Sequence, residues 1–100
     1  MKVKINNYLF DASAGTVIFT DYDEIRLDGI LLITNVTRNT IIYNFANPKR
    51  GGTVSGNVLQ LTMVTSTMDD NDKLQIFYDD GKLTTDFLIN RDIEGGGKIL

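Results

Sequence analysis

Apolar and polar positions alternate along this chain in short runs, and Asn, Asp and Gly separate one run from the next. In 58–64 one face carries Leu59, Leu61 and Met63 while Gln60 and Thr62 occupy the other; in 73–79 Leu74, Ile76 and Tyr78 oppose Lys73, Gln75 and Asp79. A period of two sends successive side chains to opposite sides of a pleated strand, so each segment has one core face and one wetter face. The pattern predicts strands over 3–10, 16–20, 30–37, 40–45, 53–55, 58–65, 74–79 and 83–89. Ile30-Leu31-Leu32-Ile33 is apolar on both faces, which suits a central strand or one covered at an interface. No segment repeats apolar residues at helical spacing over ten positions. Single helical turns are expected at 21–27 and 66–72, where Ser and Asp can cap.

Turn residues support these divisions. Gly56-Asn57 is a two-residue hairpin signal, because glycine reaches the positive φ that primed turns require, and Asp80-Gly81 is a second. Arg38-Asn39 is weaker, since Arg has no preference for positive φ. In the stretch NPKRGGTVSG at 47–56, Pro48 should end the IIYNF strand without a helix by fixing its own φ and biasing Asn47 towards extended geometry. Gly51-Gly52 should then let the chain reverse into TVS. Short strands with turns every 8 to 12 residues read as a small antiparallel β sandwich, Ig-like or jelly-roll-like. We place that domain at 1–90 and a Gly-rich tail at 91–100. Gly95-Gly96-Gly97 followed by Lys98-Ile99-Leu100 has the form of a flexible connector with an apolar anchor, a docking arm, or of a frayed terminus.

Composition narrows the function classes. The 100 residues are 42% hydrophobic and 23% charged, as in an ordinary globular domain, and no apolar run approaches the ~20 residues of a membrane-spanning helix. A net charge of −3 supplies no field that would collect nucleic acid or an anionic membrane, so neither is an expected partner. The N-terminus lacks the apolar region of a signal peptide, and synthesis in a cytoplasm-like compartment is the default expectation. With no Cys there are no disulfides or thiolate metal sites, and with no His the commonest general base is missing as well. Catalysis is therefore not expected, and no catalytic residue, cofactor or metal ligand is assigned.

The acidic clusters at 21–24, 69–72 and 79–80 have the oxygen chemistry of calcium loops but not the alternating spacing or distal Glu of an EF-hand, so they are expected to be solvated turns. Lys49-Arg50-Gly51-Gly52 looks like an anion loop but lacks the GK[ST] pattern and following helix of a phosphate site. Asn35-Val36-Thr37 matches the glycosylation triplet by coincidence, within a predicted strand. Tyr8, Tyr22, Tyr43 and Tyr78 are the candidate aromatics for a carbohydrate-binding alternative, although Tyr43 and Tyr78 alternate with core positions.

Residues 30–80 carry a recognisable order of motifs: a strand ending in NVT, an IIYNF strand, a P-x-x-GG loop, a GN hairpin, an alternating strand, an STMDDNDKL turn and a final LQIFYDD strand. This order resembles a module of tailed-bacteriophage virion proteins, and the short chain looks most like an auxiliary capsid protein, the decoration or cement type, of crAss-like phages. The resemblance implies a β-sandwich fold and a non-enzymatic structural role on the virion capsid surface after synthesis in the bacterial host cytoplasm. Its implied partners are the major capsid protein, other virion proteins and copies of itself. A fibre-base, head-tail or tail adaptor is the alternative location. Exposure and composition, rather than any family motif, mark Lys49, Arg50, Arg91, Lys98, Ile99 and Leu100 as candidate partner contacts.

Overall fold

The computed structural model describes residues 1–81. Eight strands run over Lys2–Ile5 (β1), Leu9–Asp11 (β2), Thr16–Ile18 (β3), Ile30–Asn35 (β4), Thr40–Asn44 (β5), Gly52–Ser55 (β6), Val58–Leu61 (β7) and Leu74–Asp79 (β8). Two 3₁₀ turns, Leu27–Gly29 and Pro48–Arg50, sit in the connections before β4 and β6. One sheet has the order β1-β8-β4-β5 and the other β2-β3-β7-β6, with every neighbouring pair antiparallel. The chain is an antiparallel β sandwich, as its alternation predicts. Val17, Phe19, Ile30, Ile33, Ile42, Leu59 and Ile76 are fully buried at its centre. Leu59, Leu61, Leu74, Ile76 and Tyr78 all lie on the core side, while Met63, beyond the end of β7, is only partly buried.

The predicted strand at 3–10 is two strands in different sheets, broken at Asn6-Asn7. Parity explains the break. Ile5 and Phe10 are both buried, yet five positions apart they would face opposite ways on one straight strand. Crossing from one sheet to the other lets both side chains enter the shared core.

The same parity problem is solved within β4 by a bulge. Ile30 pairs with Tyr78 and Leu32 with Phe77, so Leu31 is an extra residue, and Ile30 and Ile33 can both point inward. A second irregularity against β5 pairs Ile33 with Tyr43 and Thr34 with Ile41, which makes Ile42 the extra residue and allows Ile42 and Tyr43 both to be buried. β4 is a central strand between β8 and β5, as its two apolar faces suggest.

Several local expectations change. The strands expected at 16–20, 30–37 and 58–65 end earlier, at Ile18, Asn35 and Leu61. The turn expected at 21–27 is a 3₁₀ turn at Leu27–Gly29, and 66–72 is irregular chain rather than a helical turn. Pro48 does begin a short 3₁₀ turn, because the Asn47 side chain accepts the Lys49 amide at 3.0 Å and the proline sits where a missing N–H costs nothing. The Gly56-Asn57 hairpin forms with Ser55 opposite Val58; only Gly56 has positive φ, at 60°, which is the type II′ arrangement. Arg38-Asn39 is not a two-residue turn: 36–39 all lie between β4 and β5, and Asn39 alone takes positive φ. Asp80-Gly81 follows a strand already flanked by β1 and β4, so β8 has no free edge for a hairpin partner. The expected strand at 83–89 and the tail at 91–100 lie outside the described residues.

Gly51 and Gly52 do not serve to reverse the chain, since neither takes a positive φ. Gly52 is required by a close approach: a Cβ there would lie 2.5 Å from the Gln60 carbonyl oxygen and 2.8 Å from Leu59 Cδ1. The oxygen belongs to the paired strand β7 and cannot rotate away. Gly52→Ala should therefore cost roughly 1–3 kcal/mol through displaced backbone, read as a lower urea midpoint with unchanged slope. A midpoint equal to that of the native protein would show that β6 slides without cost.

Candidate contact site

The connection from β5 to β6 is built from short local hydrogen bonds. Asn44 Oδ1 accepts the Ala46 amide at 3.0 Å, the Asn44 carbonyl accepts the Asn47 amide at 3.0 Å, and the Asn47 carbonyl accepts the Arg50 amide at 2.9 Å. Thr62 N–H then ties the Gly51 carbonyl to the chain beyond β7 at 3.0 Å. A loop held this way presents fixed side chains. Phe45 is 59% exposed at its start, Lys49 is exposed, and Arg50 is half-buried at its end.

Neither Lys49 nor Arg50 forms an ion pair among the described residues. The other arginines with described side chains are committed. Arg26 pairs with Asp28 and donates to the Asp79 carbonyl, and Arg38 pairs with Asp72. The loop thus combines an exposed aromatic ring with two uncompensated cations on a rigid turn, an arrangement suited to an acidic or mixed protein surface. Of the six sequence-derived contacts the structure describes these two; Arg91, Lys98, Ile99 and Leu100 lie outside the described residues.

No family model, curated protein or solved structure matches this chain.

The acidic clusters are not uniformly solvated turns. Asp70 accepts the Ala12 amide at 2.7 Å, Asp21 accepts from Asn7 Nδ2 at 2.8 Å, and Asp72 is buried. Asp72 Oδ2 accepts from Asn35 Nδ2 at 2.9 Å, from Arg38 Nε, and from the Asp69 amide at 3.2 Å. Asn35 is itself fully buried and its Oδ1 accepts the Arg38 amide. This cluster fastens the 66–73 connection to the turn between β4 and β5. The Asn35 hydrogen bond, with help from Arg38 and the Asp69 amide, holds the Asp72 carboxyl below the usual carboxylate range against the opposing effect of burial. Asn35, read from sequence only as a chance glycosylation triplet, is thus an internal anchor. Its buried amide is spoken for. Among the described residues no three acidic side chains gather as a metal site.

The tyrosines are packing residues. Tyr43 and Tyr78 are buried, Tyr8 and Tyr22 pack against the core with part of their surface, and burial pushes the Tyr43 and Tyr22 phenols above their ordinary values. Tyr78 Oη accepts the Arg26 amide, Tyr8 Oη accepts the Leu74 amide, and Tyr43 Oη donates to the Leu27 carbonyl. Buried as they are, Tyr43 and Tyr78 have no open ring face for sugar stacking, while Tyr8 and Tyr22 are half-buried. Among the described residues Phe45 is the exposed aromatic, at 59%.

Proposed function

We propose that this chain is a non-enzymatic structural protein of a phage virion that binds the assembled capsid shell through the major capsid protein and reinforces it. The observation that carries the reading is the rigid loop at 45–51, with an exposed ring and two cations that have no counter-ion within the described fold. The motif order that resembles phage virion modules supports it. Asn35 of NVT ends β4, IIYN of IIYNF lies in β5, P-x-x-GG lies in the 45–51 loop and the first residue of β6, GN is the turn between β6 and β7, and LQIFYD is β8. A shell presents many equivalent sites, so a contact of modest strength suffices when neighbouring copies also touch one another. No group in the loop is asked to do chemistry.

Capsids lacking this protein should bind the purified chain on co-sedimentation at low ionic strength. Lys49→Ala with Arg50→Ala should weaken that binding about 3–10-fold, as expected for exposed interfacial charges. The difference should fade as salt rises and screens the pairs. Thermal stability of the free domain should not change, because neither side chain is paired within it. Equal capsid occupancy for the variant at every salt concentration would reduce the loop to architecture, and absence of native binding would remove the capsid reading.

A further inference from the structure

β1 follows β8 only as far as Ile5 opposite Ile76. The chain then turns at Asn6-Asn7 towards the other sheet, and the start of β8 loses its neighbour on that side. The Tyr8 hydroxyl takes over one duty of the missing strand by accepting the Leu74 amide at 2.8 Å. It does not fill the space. A cleft of about 380 Å³ remains where β1 peels away, with Ile5 and Leu74 among its walls, within the size range of ligand clefts.

The polar side chains round this cleft are in want of partners. Lys4 and Lys73 both line it, both are exposed, and neither forms an ion pair among the described residues. Asn6 and Gln75 fall between them in the register, and their side-chain amides bond no other described residue. No carboxylate lines the cleft, although acidic side chains outnumber basic ones by 13 to 10 in the whole chain. The acidic residues of the flanking turns are engaged elsewhere: Asp72 is buried against Asn35 and Arg38, while Asp21 and Asp70 accept from Asn7 and from the Ala12 amide. A concave site lined by charge of one sign focuses its field and draws in counter-charge.

Strand register gives the spacing of the two cations. Lys4 lies opposite Phe77, and Lys73 comes four residues before Phe77 with the same parity. Their backbones therefore stand about 13 Å apart along the strand at ~3.3 Å per residue. Two carboxylates four residues apart on an extended segment have the same separation, and the side chain midway between them turns to the same side. Val36, 50% exposed, lines the cleft and offers that side chain an apolar neighbour. Asn6 and Gln75 each carry a donor and an acceptor, which suits the peptide groups of such a segment. A lone phosphate would use neither the apolar wall nor the amide acceptors.

We infer that this cleft is a binding site for an extended acidic peptide segment of a partner protein. Lys4 and Lys73 each hold one carboxylate, and Asn6 and Gln75 bond the backbone between them. The cleft lies on the β1 side of its sheet, whereas the 45–51 loop leaves β5 at the opposite edge, so the two are separate surfaces. The inference goes beyond the capsid reading and stands without it.

The test titrates the ¹⁵N-labelled full-length chain with the capped peptide ESLSE, with its charge-reversed control KSLSK, and with inorganic phosphate. ESLSE at millimolar concentration should shift the amides of Lys4, Asn6, Lys73 and Gln75. Lys4→Gln with Lys73→Gln should weaken the peptide about 3–10-fold, since two exposed ion pairs are lost. The melting temperature should not change, because neither lysine is paired within the described fold. Lys49→Ala with Arg50→Ala should leave the response at the cleft as it is. Cleft amides that stay in place overturn the inference, as does equal affinity for the double Gln variant. An equal response to KSLSK overturns it too, and a phosphate response as strong as that to ESLSE overturns it in favour of a small-anion site.

Discussion

Phe19→Ala should unfold a large part of the population at physiological temperature. The ring is fully buried, meets Tyr78 edge-on at 5.8 Å and Tyr22 at 6.5 Å, and these two tyrosines meet each other at 5.4 Å. Deleting a buried Phe costs about 3–5 kcal/mol in lost transfer energy and cavity, and the broken edge-to-face contacts lie within that range. A domain of this size holds about 5–15 kcal/mol in total, so the loss is a large fraction of the whole. At ~4–8 °C per kcal/mol the melting temperature should fall by about 12 °C or more. The position is also structural in its backbone, since Phe19 exchanges hydrogen bonds with Asn57 and accepts the Tyr22 amide. Those bonds survive the substitution, so the chain should still reach its native topology. Phe19→Leu should recover much of the loss by filling most of the volume. If the Ala variant melts within a few degrees of the native protein, the three rings do not form the keystone of this end of the core.

The second large effect is expected at Asn35. Asn35→Leu leaves the Asp72 carboxylate facing an apolar side chain and the Arg38 amide without its acceptor. Stranding buried polar groups should cost about 2–3 kcal/mol, measurable as a shift in the urea midpoint. The partner variant Asp72→Asn separates the charge from the shape. The folded pKa of Asp72 is lowered, by the Asn35 hydrogen bond first and then by Arg38 and the Asp69 amide. The unfolded chain therefore binds that proton more readily than the folded one. Stability from this group is fully present above the unfolded value of about 4 and is lost as pH falls through the depressed folded value. Asp72→Asn should lower stability at neutral pH and flatten the acid limb, with the two proteins converging at the lowest pH. Part of the slope should remain, because Asp79 is also held low, chiefly by the Gly81 amide. A stability gap of constant size from pH 7 to pH 2 would mean that the Asp72 charge plays no part.

How much was legible before the fold was known can be argued from single residues. Leu59, Leu61, Leu74, Ile76 and Tyr78 were readable as core because alternation is a local property of one strand. The Lys49-Arg50 pair was readable as part of a surface connection because such a turn needs little beyond Pro48 and its neighbours. Asp72 was misread as solvated. Nothing in DDND separates the carboxylate that Asn35, 37 residues away, draws inward from the two exposed carboxylates, Asp69 and Asp70, beside it. Asn35 was missed for the same reason, since a buried amide carries no local mark.

By itself, then, the order of residues determined the class of object: one β domain without thiol or imidazole chemistry, with its hairpin at Gly56-Asn57 and a central, doubly apolar β4. Periodicity and turn preference act between neighbours in the chain, so they are written in the chain. Which strands share a sheet, where Leu31 and Ile42 must be squeezed out as extra residues, and why Gly52 must lack a side chain were decided only in three dimensions. Those outcomes depend on parity across two sheets that fill one common core, and on atoms such as the Gln60 oxygen that approach from distant parts of the chain.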